Sequence, residues 1–96
     1  MKPSVAFQQH RRAIRKIVEL HHGKNPRVFG SVLHGRDTDG SDLDVLIDTT
    51  NETSLFDIGA IRMELTELLG VQVDVLTPGA LPDRWKAAVL NEAQAV

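Results

Sequence analysis

The 96-residue sequence contains no cysteine. That excludes a disulfide scaffold, a thiolate nucleophile and any zinc site built on sulfur, and it fits a cytoplasmic chain. No apolar run reaches the roughly 18 residues of a membrane span, so no membrane partner is expected. Met1-Lys2-Pro3-Ser4 leads into polar, basic sequence, so no secretory signal is expected either. The Asn51-Glu52-Thr53 triplet then reads as a chance match to a glycosylation acceptor. Internal repeats and low-complexity tracts are also missing. A net charge of −2 is too small to argue for nucleic acid, and direct nucleic-acid binding is not expected. What remains is an ordinary globular composition, with 42% hydrophobic and 25% charged residues, in a single domain spanning 1–96. A chain this short buries about two-thirds of its unfolded surface, so a partner, nucleotide or metal would help to stabilise it.

Charge is unevenly placed. Residues 1–27 hold seven basic side chains and one acidic, Glu19, a local balance of +6. Residues 37–74 hold ten acidic side chains against Arg62 alone, a balance of −9. Asp37, Asp39, Asp42, Asp44 and Asp48 fall within twelve residues. Like charges packed this densely repel, and either a bound divalent cation or exposure to water must offset them.

Hydrophobic periodicity lays out the elements. Phe7, His10, Ile14, Ile17, Val18 and His21 recur at helical steps, predicting one helix capped by Ser4 and running to about His22, with a solvated basic face. Gly23 is its expected stop, and Asn25-Pro26 marks the break. Arg27-Val28-Phe29 reads as a short strand, followed by a helical turn opening at Ser31 and a loop from Arg36 to Gly40. Leu43, Val45 and Ile47 alternate with Asp44, Leu46 and Asp48, a strand with one apolar face and one that begins with acid. Ser54 and Asp57 form a capping box for a helix with Ile58, Ile61, Leu65 and Leu68 inward, and Gly70 ends it. Val71–Leu76 is a third strand. Pro82 opens a last helix whose inner face is Trp85, Ala88 and Val89. The order predicts a small three-stranded sheet with helices packed on it, an α/β (α+β) fold.

The chemistry lies in Gly30-Ser31, ten intervening residues, then Asp42-Leu43-Asp44. Two aspartates two apart at the start of a strand point to one face, with Cα atoms roughly 6–7 Å apart. Their carboxylates can converge on one or two hard cations such as Mg2+, which takes carboxylates, waters and substrate phosphates. Asp74 is the natural third ligand, because a charge between Val73 and Val75 is costly unless paired or metal-bound. Gly30 lets backbone approach a phosphate closely, and Ser31 adds a hydroxyl donor. No lysine follows a glycine as a P-loop requires. An Asp-x-Asp pair alone is more often a turn or cap than a metal site. The spacing, the strand placement and the later intrastrand acid together lift it above that. Asp37 and Asp39 read as loop acids; His10, His21 and His22 as packing or solvent-facing residues; Trp85 as core or interface.

Phe29-Gly30-Ser31, Gly35 and Ser41-Asp42-Leu43-Asp44-Val45-Leu46-Ile47 resemble the signature of the DNA polymerase β-type nucleotidyltransferase superfamily. The short length and early motif resemble its minimal nucleotidyltransferase branch, many of whose members are antitoxins paired with HEPN-domain ribonuclease toxins. The resemblance implies that family's fold, here with three mixed strands and about four helices. It implies transfer of AMP from ATP to a hydroxyl with release of pyrophosphate, the acceptor being a tyrosine of the HEPN partner in a hetero-oligomer. Gly30 and Ser31 would hold the triphosphate, Asp42 and Asp44 would bind two Mg2+ ions, and Asp74 would complete the metal site. Many relatives carry arginine where this chain has His34, which supports a phosphate only when protonated; Arg36 is placed to take over. The same residues leave room for an antitoxin that acts by contact alone, or for transfer to a small molecule or an RNA end.

Overall fold

The computed structural model describes residues 1–96. The expected first helix is two: α1 (Pro3–Gln9) and α2 (Arg11–Leu20), parted at His10, whose ψ of 24° leaves helical geometry. Ser4 is not the cap. Lys2 stands at the N-cap, Pro3 occupies the first turn, and the Ser4 N–H donates to the Asp37 carboxylate at 2.8 Å. An acid 33 residues away thus satisfies one of the orphan amides of α1.

Gly23 does not stop α2. His22 takes the left-handed position with φ 64°, and Gly23 opens β1 (Gly23–Phe29). A Cβ at Gly23 would lie 2.9 Å from Val18 Cγ1 and 3.3 Å from Ile47 Cδ1, so glycine is needed there for close packing. The strand starts earlier than expected because it absorbs Asn25-Pro26 in an irregularity between Lys24 and Arg27. Such a bulge tolerates a residue without an N–H.

From β1 the chain makes a 3-10 turn (Gly30–His34), which begins one residue earlier than expected, and enters β2 (Leu43–Thr49), antiparallel to β1. Next comes α3 (Leu55–Leu69), held by the expected Ser54–Asp57 capping box and ended by left-handed Gly70. It crosses over to β3 (Val73–Leu76), parallel to β2. A second 3-10 turn (Pro78–Ala80) leads to α4 (Asp83–Glu92) and β4 (Gln94–Ala95). The sheet therefore has four strands, ordered β3-β2-β1-β4, rather than three. The additional strand pairs antiparallel with β1, and α2 fastens it: Arg11 donates to the Ala95 carbonyl at 2.8 Å and Arg15 to that of Val96 at 2.9 Å. The basic face of α2 is thus partly spent on this clasp rather than merely solvated.

One face of the sheet carries the core. Val28, Leu43, Val45, Ile47 and Val73 pack with Phe7, Ile14, Val18, Ile61 and Leu65 of the first three helices. Each fully buried aliphatic side chain contributes about 1.5–3 kcal/mol. The other face holds the acids, and Leu46 is buried there outside that core cluster. The expected inner face of α4 is not observed. The helix buries no residue; Trp85 is 54% exposed with the Arg84 guanidinium 4.8 Å from its ring centroid, Ala88 is exposed and Val89 is half-buried. No helix is long and apolar enough to cross a membrane.

Candidate functional site

The site forms where β1 ends beside the start of β2. Phe29 and Asp44 are Cα partners across the antiparallel ladder, so Gly30 follows alongside the Asp44 side chain. Gly30 has φ 83°, and a Cβ there would lie 2.6 Å from Asp44 Oδ2. Only glycine lets the chain turn at this point without displacing that carboxylate.

On the other side of β2, the parallel register sets Asp44 directly opposite Asp74. Neighbouring strands run about 4.8 Å apart, so two like charges face each other at the short spacing of a sheet. Asp42, just before β2, is a third charge. Asp44 is half-buried, while Asp42 and Asp74 are exposed. Burial chiefly, then Asp74 and Asp42, push the Asp44 carboxyl up to about 6. Asp44 feels both neighbouring acids, yet no three carboxylate or imidazole groups close into a metal-holding cluster. What the sheet presents is an open oxygen-rich face, with Asp44 at its centre.

The glycine-serine turn flanks this face. Ser31 is half-buried, and its carbonyl accepts from the Arg36 N–H at 3.1 Å, closing the turn behind it. Arg36 and His34 are exposed. His34 Nε2 lies 3.3 Å from Glu92 Oε2, which joins the turn to α4. The structure thus sets Gly30 and Asp74 on either side of Asp44 with Asp42 just ahead of it in the chain, while Ser31 follows Gly30 into the turn that Arg36 closes and His34 reaches toward Glu92 of α4.

Two other acids have different work. Asp37 is buried and caps α1; the Ser4 N–H holds its carboxyl below the usual carboxylate range against the effect of burial. Nothing local in the sequence pairs Asp37 with Ser4. Asp39 is exposed and lies 3.6 Å from the N-terminal amine. The neighbouring histidines lie outside the site. His21 meets Glu64, and His22 lies 3.2 Å from Asp57 and 3.5 Å from Glu52.

Residues 9–96 match the nucleotidyltransferase domain family. Among curated relatives, the chain is 39% identical over 82 residues to "Putative protein adenylyltransferase MJ0435" of Methanocaldococcus jannaschii, covering 82% of this chain and 88% of that protein. It is 30% identical over 78 residues to "Putative protein adenylyltransferase MJ0126" of the same organism, covering 81% and 80%. A solved structure described as a "putative minimal nucleotidyltransferase" superposes with a TM-score of 0.86 at 32% identity, covering 97% of this chain and 95% of that one. A toxin–antitoxin crystal structure with AMP-PNP shares the fold, with a TM-score of 0.73 at 16% identity over 88% of this chain and 69% of that one. Both the sequence match and the four-stranded fold lead to one conclusion: this chain belongs to the nucleotidyltransferase domain family.

Proposed function

We propose that this chain is a Mg2+-dependent protein adenylyltransferase that moves AMP from ATP to a tyrosine hydroxyl of a HEPN ribonuclease toxin in the cytoplasm, and so acts as its antitoxin. The observation that carries the proposal is the Asp44 carboxylate, held against Gly30 on one side and Asp74 on the other. The two relatives named as protein adenylyltransferases support a protein acceptor, and the toxin–antitoxin neighbour supports a toxin partner.

The donor set suits a hard cation. Asp42, Asp44 and Asp74 offer only oxygen, two of them from exposed positions, and their mutual repulsion is what a divalent ion relieves. These three residues would hold two Mg2+ ions, which supply charge stabilisation to the transferring phosphoryl group. The protein's own part is placement. Gly30 leaves room for the triphosphate to lie against backbone, and the Ser31 hydroxyl donates to it. Arg36, with His34 when protonated, offsets charge on the outer phosphates. In the transfer, the acceptor oxygen bonds to the α-phosphorus as the bond to the bridging oxygen breaks. Pyrophosphate leaves with that electron pair, and the hydroxyl proton passes to solvent.

Intact mass spectrometry of the co-purifying partner, incubated with ATP and Mg2+, tests this reading. Whole-AMP increments are expected with the native chain and none with the Asp42→Asn, Asp44→Asn double variant. A stable complex without increments in either sample would replace transfer by neutralisation through contact alone.

A further inference from the structure

β3 is the last strand on its side of the sheet, and no strand lies beyond it. In a parallel ladder, alternate residues bond to the same neighbour. The Leu43 N–H donates to the Gln72 carbonyl at 2.8 Å, so Gln72, Asp74 and Leu76 turn their backbone groups to β2, while Val73 and Val75 turn theirs outward. Arg62 Nε covers the Val73 carbonyl at 3.3 Å; the outward groups of Val75 have no such cover. An edge of this kind accepts an added strand, whose main chain gives affinity and whose alternate side chains give specificity.

The two faces of this edge narrow what it takes. On the helix side, a groove of about 290 Å³ runs between α3 and the start of β3, lined by Gly59, Arg62, Met63, Thr66, Glu67 and Gln72. Met63 is 60% exposed there, and open space stands where Gly59 lacks a Cβ, so an apolar side chain from an added strand has somewhere to go. On the other side, Asp74 belongs to the edge strand itself and is exposed. A residue paired across from it would place its side chain on the acidic face, about 4.8 Å away. Asp44 lies one strand further in, roughly 9–10 Å from the added strand at that spacing, which calls for a long hydroxyl-bearing side chain such as tyrosine. A second copy of this chain is a poor occupant, because antiparallel pairing of two β3 strands brings both Asp74 carboxylates onto one face as near neighbours. Resting on the adenylyltransferase reading, we infer that the outer edge of β3 seats the acceptor as an extended segment of the partner protein. That segment lies as a fifth strand, with apolar residues toward Met63 and the acceptor hydroxyl on the side of Asp74.

The test uses the full chain with Mg2+ and a non-hydrolysable ATP analogue, titrated with a capped peptide of alternating valine and threonine around one central tyrosine. Amide shifts in 15N-labelled protein report binding, and AMP transfer is then measured with ATP. Binding is expected to shift the Val73 and Val75 amides most and to slow hydrogen exchange at Val75. Methylating alternate backbone nitrogens of the peptide tests the edge directly, because only one set faces β3. One methylated set should weaken binding about tenfold or more, and the other should leave it within about twofold. Val75→Pro removes an outward N–H that an edge strand can lose, and should abolish binding while leaving ATP affinity unchanged. No binding, equal sensitivity to both methylated sets, or shifts confined to α4 would overturn the edge even if transfer proceeds. Self-association of the chain that Val75→Pro abolishes would overturn it too, by giving the edge to a second copy. One-sided sensitivity without any transfer would uphold the edge and sink the transfer reading.

Discussion

Asp44 and Asp48 sit four residues apart on the same face of β2, and their environments are opposite. At Asp48 the neighbouring strand presents cover: Arg27 donates at 3.0 Å and Asn25 at 3.1 Å. These bonds hold the Asp48 carboxyl below the usual range. At Asp44 the neighbouring strand gives way to a glycine, and the parallel strand adds another acid. The Asp44 carboxyl is pushed up instead. One acid is satisfied within the fold, and the other is left for something outside it. A residue's type does not mark a site; what the adjacent strand sets across from it does.

The largest effect expected from this contrast is on transfer. Asp44→Asn should lower AMP transfer by about 10²–10³-fold or more, the scale of losing one essential group that stabilises transition-state charge. Asp48→Asn should leave transfer within about threefold, since its partners are Arg27 and Asn25 rather than the open face. Single-turnover assays with both variants decide whether the two acids are as different as their surroundings.

Next in size is Gly30→Ala. The added Cβ meets Asp44 Oδ2 at 2.6 Å, and the left-handed backbone costs an L-residue about 1–2 kcal/mol. Transfer should fall by about 10²-fold through displacement of Asp44, as small misplacements do. The thermal midpoint should fall by roughly 4–8 °C per kcal/mol in a domain this size. Unimpaired transfer with an altered melting curve would separate the glycine from the carboxylate it adjoins.

Stability against pH should show the two signs directly. Folded Asp44 binds its proton up to about pH 6, above the ordinary carboxylate value of 3.8. The folded state then carries more protons than the unfolded one in that window, so this contribution falls as pH rises through it. Asp44→Asn should therefore raise the midpoint of the ligand-free protein by a few degrees above about pH 6 and have little effect in acid. Asp48 works the other way. Its lowered value contributes stability above the unfolded value, and that is lost as pH falls through the folded one. Asp48→Asn should cost about 1 kcal/mol at neutral pH, the difference closing in acid. Thermal melts across pH 3–8 on both variants check it.

The smallest stability effect extends the comparison to a third acid. Asp37→Asn keeps an acceptor for the Ser4 N–H but removes its charge, and should cost about 0.5–1 kcal/mol by denaturant melts, with transfer unchanged.

Local signals carried much of this fold into the sequence. Ser54, Asp57 and Gly70 bound α3 because capping is chemistry between near neighbours. That Asp44 and Asp74 share a face was legible because strand alternation puts both on the side away from Val45 and Val73. What escaped depends on distant partners. Asp37 caps a helix 33 residues earlier. The two-residue β4 exists only because the edge of β1 and two arginines of α2 receive it. Gly23 looked like a stop and is a packing contact with Val18 and Ile47. Trp85 looked inward by periodicity, but α4 has no buried face to satisfy.

The arginine clasp on β4 also fixes how the sheet ends in space. The other flank, β3, is joined to the centre by a covalent crossover through α3. On the β4 flank, a two-residue ladder and the Val96 N–H, which donates to the Pro26 carbonyl at 3.1 Å, cover the outer edge of β1, and Arg11 and Arg15 hold the carbonyls of Ala95 and Val96 from the α2 side. Were β4 to lift away, the bared edge of β1 would be a template onto which a foreign extended segment could align. Covering that edge with a short paired strand is one of the ways in which sheets avoid edge-to-edge pairing, and here it is done by residues that never touch the acidic face.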